Sequence, residues 1–144
     1  MFKFAHVLVL ALAGHHVRMV GWRNKFHLEV DADTYTIPVL IRVADDGSAR
    51  FPWGSVTESD MTGEWITDDG STPPEPEEGS AGWAIDGIFN GGHITAQVGW
   101  PEGMNLEPHY SDELGQCIRL ALPNGKRVLW RPAPQDLVAR YIRR

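Results

Sequence analysis

Apolar and polar positions alternate with a period of two through much of residues 25–131, the pattern of half-buried strands. In "KFHLEVDADTYTIPV", residues 25–39, Phe26, Leu28 and Val30 alternate, as do Tyr35, Ile37 and Val39, and an Ala32-Asp33 turn keeps both sets on one face. In "IRVADDGSARFPW", residues 41–53, a loop Asp45-Asp46-Gly47 sets Ile41 opposite Phe51 and Val39 opposite Trp53. In "GWAIDGIFNGGHITAQVGW", residues 82–100, a two-residue Asn90-Gly91 turn of type I′ puts Trp83, Ile85, Phe89, Ile94, Ala96 and Val98 on one face. Asp86 and His93 then share the opposite face as diagonal neighbours, about 7–8 Å apart. In "CIRLALPNGKRVLWR", residues 117–131, a three-residue loop Pro123-Asn124-Gly125 pairs Leu120 with Val128 and Ile118 with Trp130.

Helical signals lie at the C-terminus. In "PAPQDLVARYIRR", Pro134 is placed to open a helix, Asp136 falls in its first turn, and Leu137, Val138 and Tyr141 form a stripe. "SDELG", residues 111–115, reads as one helical turn begun by Ser111. The apolar run from Val7 to Ala13 is too short to span a bilayer, which takes about 20 residues. It reads as a buried strand or helix, with a short secretory signal as the alternative. The expected fold is one mainly β domain over residues 1–144: an antiparallel meander, two-sheet sandwich or partly open barrel built from hairpins, with a C-terminal α-helix. The alternative is α+β with residues 4–13 helical. No repeat of solenoid length is evident.

Composition adds two constraints. Six tryptophans favour a core rich in large aromatics, with some available for recognition. A single cysteine, Cys117, excludes an internal disulfide and any cysteine-based zinc site. This fits a cytoplasmic location, with secretion or a periplasmic location as the alternative if residues 1–13 are a signal.

Charge is segregated. The net charge of −6 divides into +2 for residues 1–43, −14 for residues 44–116 and +6 for residues 117–144. So acidic a middle block argues against direct binding to a nucleic-acid backbone. It suits a basic partner, unless the middle and end segments pair with each other in the fold. Its densest part, "DDGSTPPEPEEGS" at 68–80, has no apolar side chain and reads as an exposed loop, in part close to polyproline II.

Candidate chemistry is sparse. Asp86 and His93 offer a carboxylate and an imidazole for acid–base work, with Cys117 or Asp112 in support. No nucleophile elbow, phosphate-binding loop or dinucleotide pattern occurs. Adjacent His15 and His16 would point to opposite faces of a strand, and His109 with Asp112 and Glu113 has no diagnostic spacing. No metal and no cofactor is expected.

The expected function is a soluble, non-enzymatic binding protein of inhibitor, immunity or anti-defence, or mobile-element accessory type. It would engage the basic surface of a protein partner through Asp68, Asp69, Glu75, Glu77 and Glu78, with no membrane and no direct nucleic-acid contact. The alternatives are a small enzyme using Asp86 and His93, and a structural subunit that self-assembles through strand edges or tryptophan faces.

Overall fold

The computed structural model describes residues 1–23 and 25–144. The architecture is mainly β, with ten strands in two antiparallel five-stranded sheets and four α-helices among the described residues. In the first half, α1 (Phe4–Leu12) leads into β1 (Val17–Met19), a 3₁₀ turn (Val20–Trp22), β2 (Phe26–Asp31), β3 (Val39–Ala44), β4 (Arg50–Pro52), α2 (Glu58–Thr62) and β5 (Trp65–Thr67). In the second, α3 (Ala81–Gly91) leads into β6 (Thr95–Gln97), β7 (Asn105–Ser111), β8 (Gly115–Ala121), β9 (Arg127–Leu129), α4 (Pro134–Leu137) and β10 (Tyr141–Arg143).

The sheet orders are β4-β3-β2-β1-β5 and β10-β6-β7-β8-β9. Read from the other edge, the second is the first over again: four strands in a meander, then a fifth that returns through a short helix to lie beside the first. Register agrees as well as topology. Val17 opposes Leu28 and Thr67, and Thr95 opposes Leu106 and Arg143. The Val20 N–H donates to the Glu64 carbonyl and the Val98 N–H to that of Arg140, both at 2.9 Å. Trp65 Nε1 donates to the carbonyl of Asp60 at 2.8 Å, and the Tyr141 hydroxyl to that of Asp136 at 2.7 Å, five residues back in each case. The Val-Gly-Trp triplets at 20–22 and 98–100, Leu28-Glu29 and Leu106-Glu107, Trp53 and Trp130 fall at matching places. The chain is therefore an internal structural duplication. Its period, 78 residues from Val20 to Val98, is far beyond solenoid lengths, and an alternation-based reading has no reason to test it.

The two units close on one core. α1 packs against α3, and Phe4, Leu8, Val17, Leu28 and Leu40 share a buried cluster with Ile85, Ile88, Leu106 and Ile118. Gly82 makes the helix contact close, since a Cβ there would lie 2.4 Å from the Ala5 carbonyl oxygen. Trp22, Trp53 and Trp65 stack edge to face around Phe4 and fill the first unit, so these tryptophans serve the interior. No helix among the described residues is long and apolar enough to cross a membrane.

Several expected local structures are replaced. Residues 82–100 do not form a hairpin. Ala81, Ala84, Ile85 and Ile88 also fit a helical period, Ser80 caps the Trp83 N–H, and Gly92 at φ 63° ends the helix. Asn90-Gly91 is thus the last turn of α3. The partner of β2 is β3, with Leu28 opposite Arg42, because Asp31 Oδ1 accepts the N–H groups of Asp33 and Thr34 and turns the chain into a longer loop. In the β3–β4 hairpin Arg42, not Ile41, faces Phe51, because the turn is one residue longer and closes between Ala44 and Ala49. "SDELG" is the β7–β8 turn, where Ser111 Oγ accepts the N–H groups of Glu113 and Leu114. The C-terminal helix stops at Leu137, and Tyr141–Arg143 instead adds an edge strand to β6 with the Tyr141 ring buried. The 117–131 hairpin has its expected register: Leu120 faces Val128, the Trp130 N–H donates to the Ile118 carbonyl, and Gly125 takes a left-handed φ of 86°.

Candidate functional site

The segment that joins the two units is the acidic stretch at 68–80, and the fold divides its carboxylates into two groups. Asp68 receives two hydrogen bonds from Arg18, both at 2.7 Å, and Asp69 receives His15 Nδ1 at 2.8 Å. Asp69 also accepts the Ser71 N–H, and these bonds hold its carboxyl at about 2, below the usual range. Glu75 is different: its side chain is 93% exposed, with only His6 in range at 3.9 Å. Glu77 and Glu78 are exposed and enter no ion pair among the described residues; Arg140 reaches the Glu78 carbonyl oxygen rather than its carboxylate. Arg131 on Glu58 and Arg119 and Arg127 on Glu107 likewise join the basic end segment to the acidic middle and absorb part of its charge.

The densest polar constellation stands on β1 and β2. His27 and Glu29, two apart on β2, face the same way. His27 Nε2 lies 2.8 Å from Glu29 Oε2, and its Nδ1 lies 2.7 Å from Asp45 Oδ1. Asp45 accepts Arg18 at 2.6 Å, and Arg18 in turn grips Asp68. His16, just ahead of β1, stacks on His27 with ring centroids 4.7 Å apart and puts Nε2 3.6 Å from Glu29 Oε1. Donor atoms of His16, His27 and Glu29 all lie within 4.8 Å of one another. Beside them opens a cleft of about 520 Å³ lined by Ala13, Gly14, His15, His16, Asp68 and Asp69.

The electrostatics follow from these contacts. Burial pushes the Glu29 carboxyl up, but the bond from His27 and the charges of His16, His27 and Arg50 outweigh it and leave it below the ordinary range. Bonds from Arg18, then His27, lower Asp45. Arg18, bonded to Asp68 and Asp45, is held still more firmly protonated than an ordinary arginine.

The hairpin that would set Asp86 beside His93 across two strands is not formed. Asp86 sits in α3 and accepts Asn90 Nδ2 at 2.6 Å, one helical turn on. His93 follows the helix stop, its ring against Gly91 and its N–H on the Gly87 carbonyl. The cross-strand relation of Asp86 and His93 disappears with the hairpin. Cys117 is buried in β8 opposite His109, where burial and Glu58 raise its thiol, the reverse of nucleophile activation. The cluster around His27 is hidden in the sequence because Asp45 and Asp46 read as turn residues and His15-His16 carries no partner spacing of its own. The readable signal was the His27-x-Glu29 spacing, which puts two ligand types on one strand face.

No protein family matches the chain, and neither a curated protein nor a solved structure resembles it significantly.

Proposed function

We propose that the chain is a small non-enzymatic binding protein that engages a basic surface of a macromolecular partner through the segment joining its two units. One observation carries this reading: Glu75, Glu77 and Glu78 form an exposed run of carboxylates whose one ion-pair contact among the described residues is His6 with Glu75 at 3.9 Å, while their neighbours Asp68 and Asp69 are held by Arg18 and His15. The first-choice residues thus narrow from Asp68, Asp69, Glu75, Glu77 and Glu78 to the last three. Prolines 73, 74 and 76 limit the conformations of the strip and lower the entropy lost when a partner orders it. Exposed like charges of this kind steer association more than they hold a complex.

Capture from a lysate with wild type and with a triple variant, Glu75→Gln, Glu77→Gln and Glu78→Gln, tests the reading. It requires a stoichiometric basic partner that wild type holds and the variant loses, with association slowing as salt rises. A partner held equally by both, or indifferent to salt, would move the interface onto the sheets.

A further inference from the structure

We propose that His16, His27 and Glu29 form a binding site for a divalent transition ion of the zinc class. Two imidazoles and a carboxylate are donors suited to a borderline ion such as zinc, and not to calcium or magnesium, which favour all-oxygen shells. Separations up to 4.8 Å are wider than the spacing around a bound ion, so binding requires side-chain rotation of the more exposed His16 to close the gap. Three protein donors leave a coordination position for water or an incoming ligand. His16 also lines the 520 Å³ cleft, which gives an ion a route in.

The surroundings have the second layer that metal-binding histidines require. Asp45 accepts from His27 Nδ1, which fixes the ring and leaves Nε2 for the ion. Asp45 is itself held by Arg18, and Arg18 by both oxygens of Asp68. An ion would take the place between His27 Nε2 and Glu29 Oε2, which already stand 2.8 Å apart.

The second unit serves as an internal control. Glu29 corresponds to Glu107, and each meets an arginine of its fourth strand, Arg50 or Arg127. Where the first unit has His16 and His27, the second has Ile94 and Asn105. The same scaffold folds without the imidazoles, so their convergence on Glu29 is not a demand of the fold. This inference does not depend on the partner-binding reading.

The test is calorimetric titration of the tag-free, chelator-treated full chain with zinc chloride, and with cobalt chloride followed by its visible absorption. The expected result is one zinc per chain. His16→Ala and Glu29→Gln should each weaken binding at least tenfold, and His93→Ala and His109→Ala should leave it unchanged. Asp45→Asn, which removes a positioning residue, should cost about 10–100-fold. His16 is 47% exposed, so its replacement leaves the fold intact, which circular dichroism verifies. No stoichiometric zinc binding to wild type would overturn the proposal. So would wild-type affinity in His16→Ala, or loss of binding in His15→Ala alone.

Discussion

Glu29 and Glu107 occupy one position twice: each lies on the second strand of its unit and pairs with an arginine on the fourth, Arg50 at 3.7 Å and Arg127 at 2.6 Å. The chemistry around them has diverged. Glu107 is also gripped by Arg119 at 3.1 Å and is purely a staple of its sheet. Glu29 is shared among Arg50, His16 and His27.

That difference predicts unequal stability costs. Glu107→Gln removes the negative charge that two arginines share, one of which already has a buried Nε without a partner. It should destabilise by about 1–2 kcal/mol, since hydrogen bonds to charged groups exceed neutral ones but both arginines are partly solvated. Glu29→Gln, whose arginine contact is longer, should cost less. Urea midpoints of the two variants decide it, and equal losses would deny the division of roles.

The two units should also respond alike where they are built alike. Tyr141→Phe deletes the hydroxyl that donates to the Asp136 carbonyl, and should cost about 1–2 kcal/mol. Trp65→Phe deletes the equivalent bond to Asp60 and shrinks a fully buried ring, so it should cost more, about 2–4 kcal/mol. Both losses should appear in a single cooperative unfolding transition, because the units share one core. Two separated transitions would show that the units fold independently.

Gly82→Ala tests the seam between the units. Within an isolated helix the change would be favourable by about 1 kcal/mol. Here the new methyl meets the Ala5 carbonyl oxygen, which is backbone and cannot rotate aside. α1 and α3 would have to move apart, and a net loss of about 1–3 kcal/mol is expected in the urea midpoint. A gain in stability would mean that the helices are not in contact there.

Much of the β architecture was legible because turn chemistry and alternation constrain each other. At Pro123-Asn124-Gly125 the two agree on one register, which the β8–β9 hairpin has. They mislead where a segment satisfies both periods. Trp83, Ile85 and Phe89 alternate acceptably and leave Ile88 on the polar face, yet Ile85 and Ile88 lie three apart, and burial against α1 selects the helix. The Ser80 cap and the Gly92 stop were local signs of that choice. The histidine cluster depends on contacts between His16, His27 and Asp45, which stand on different elements. Only the fold brings those together, so only His27 and Glu29 could be paired from spacing.

Acid should destabilise the fold through the first unit's polar cluster. Asp45, Glu29 and Asp69 all have folded values below the ordinary 3.8 and 4.5 of aspartate and glutamate, with Asp69 at about 2. A carboxylate whose pKa is depressed by folding binds fewer protons in the folded state than in the unfolded one. Its contribution is therefore complete above its unfolded value and disappears as pH falls through the folded value. Glu58, bonded to Arg131 at 2.8 and 3.0 Å, follows the same sign. Thermal midpoints should be level above about pH 5 and fall steadily toward pH 2. Asp45→Asn, which removes the carboxylate shared by Arg18 and His27, should start from a lower midpoint at neutral pH and lose less of it on acidification. A wild-type profile flat down to pH 2 would mean that these carboxylates are not held as the structure has them.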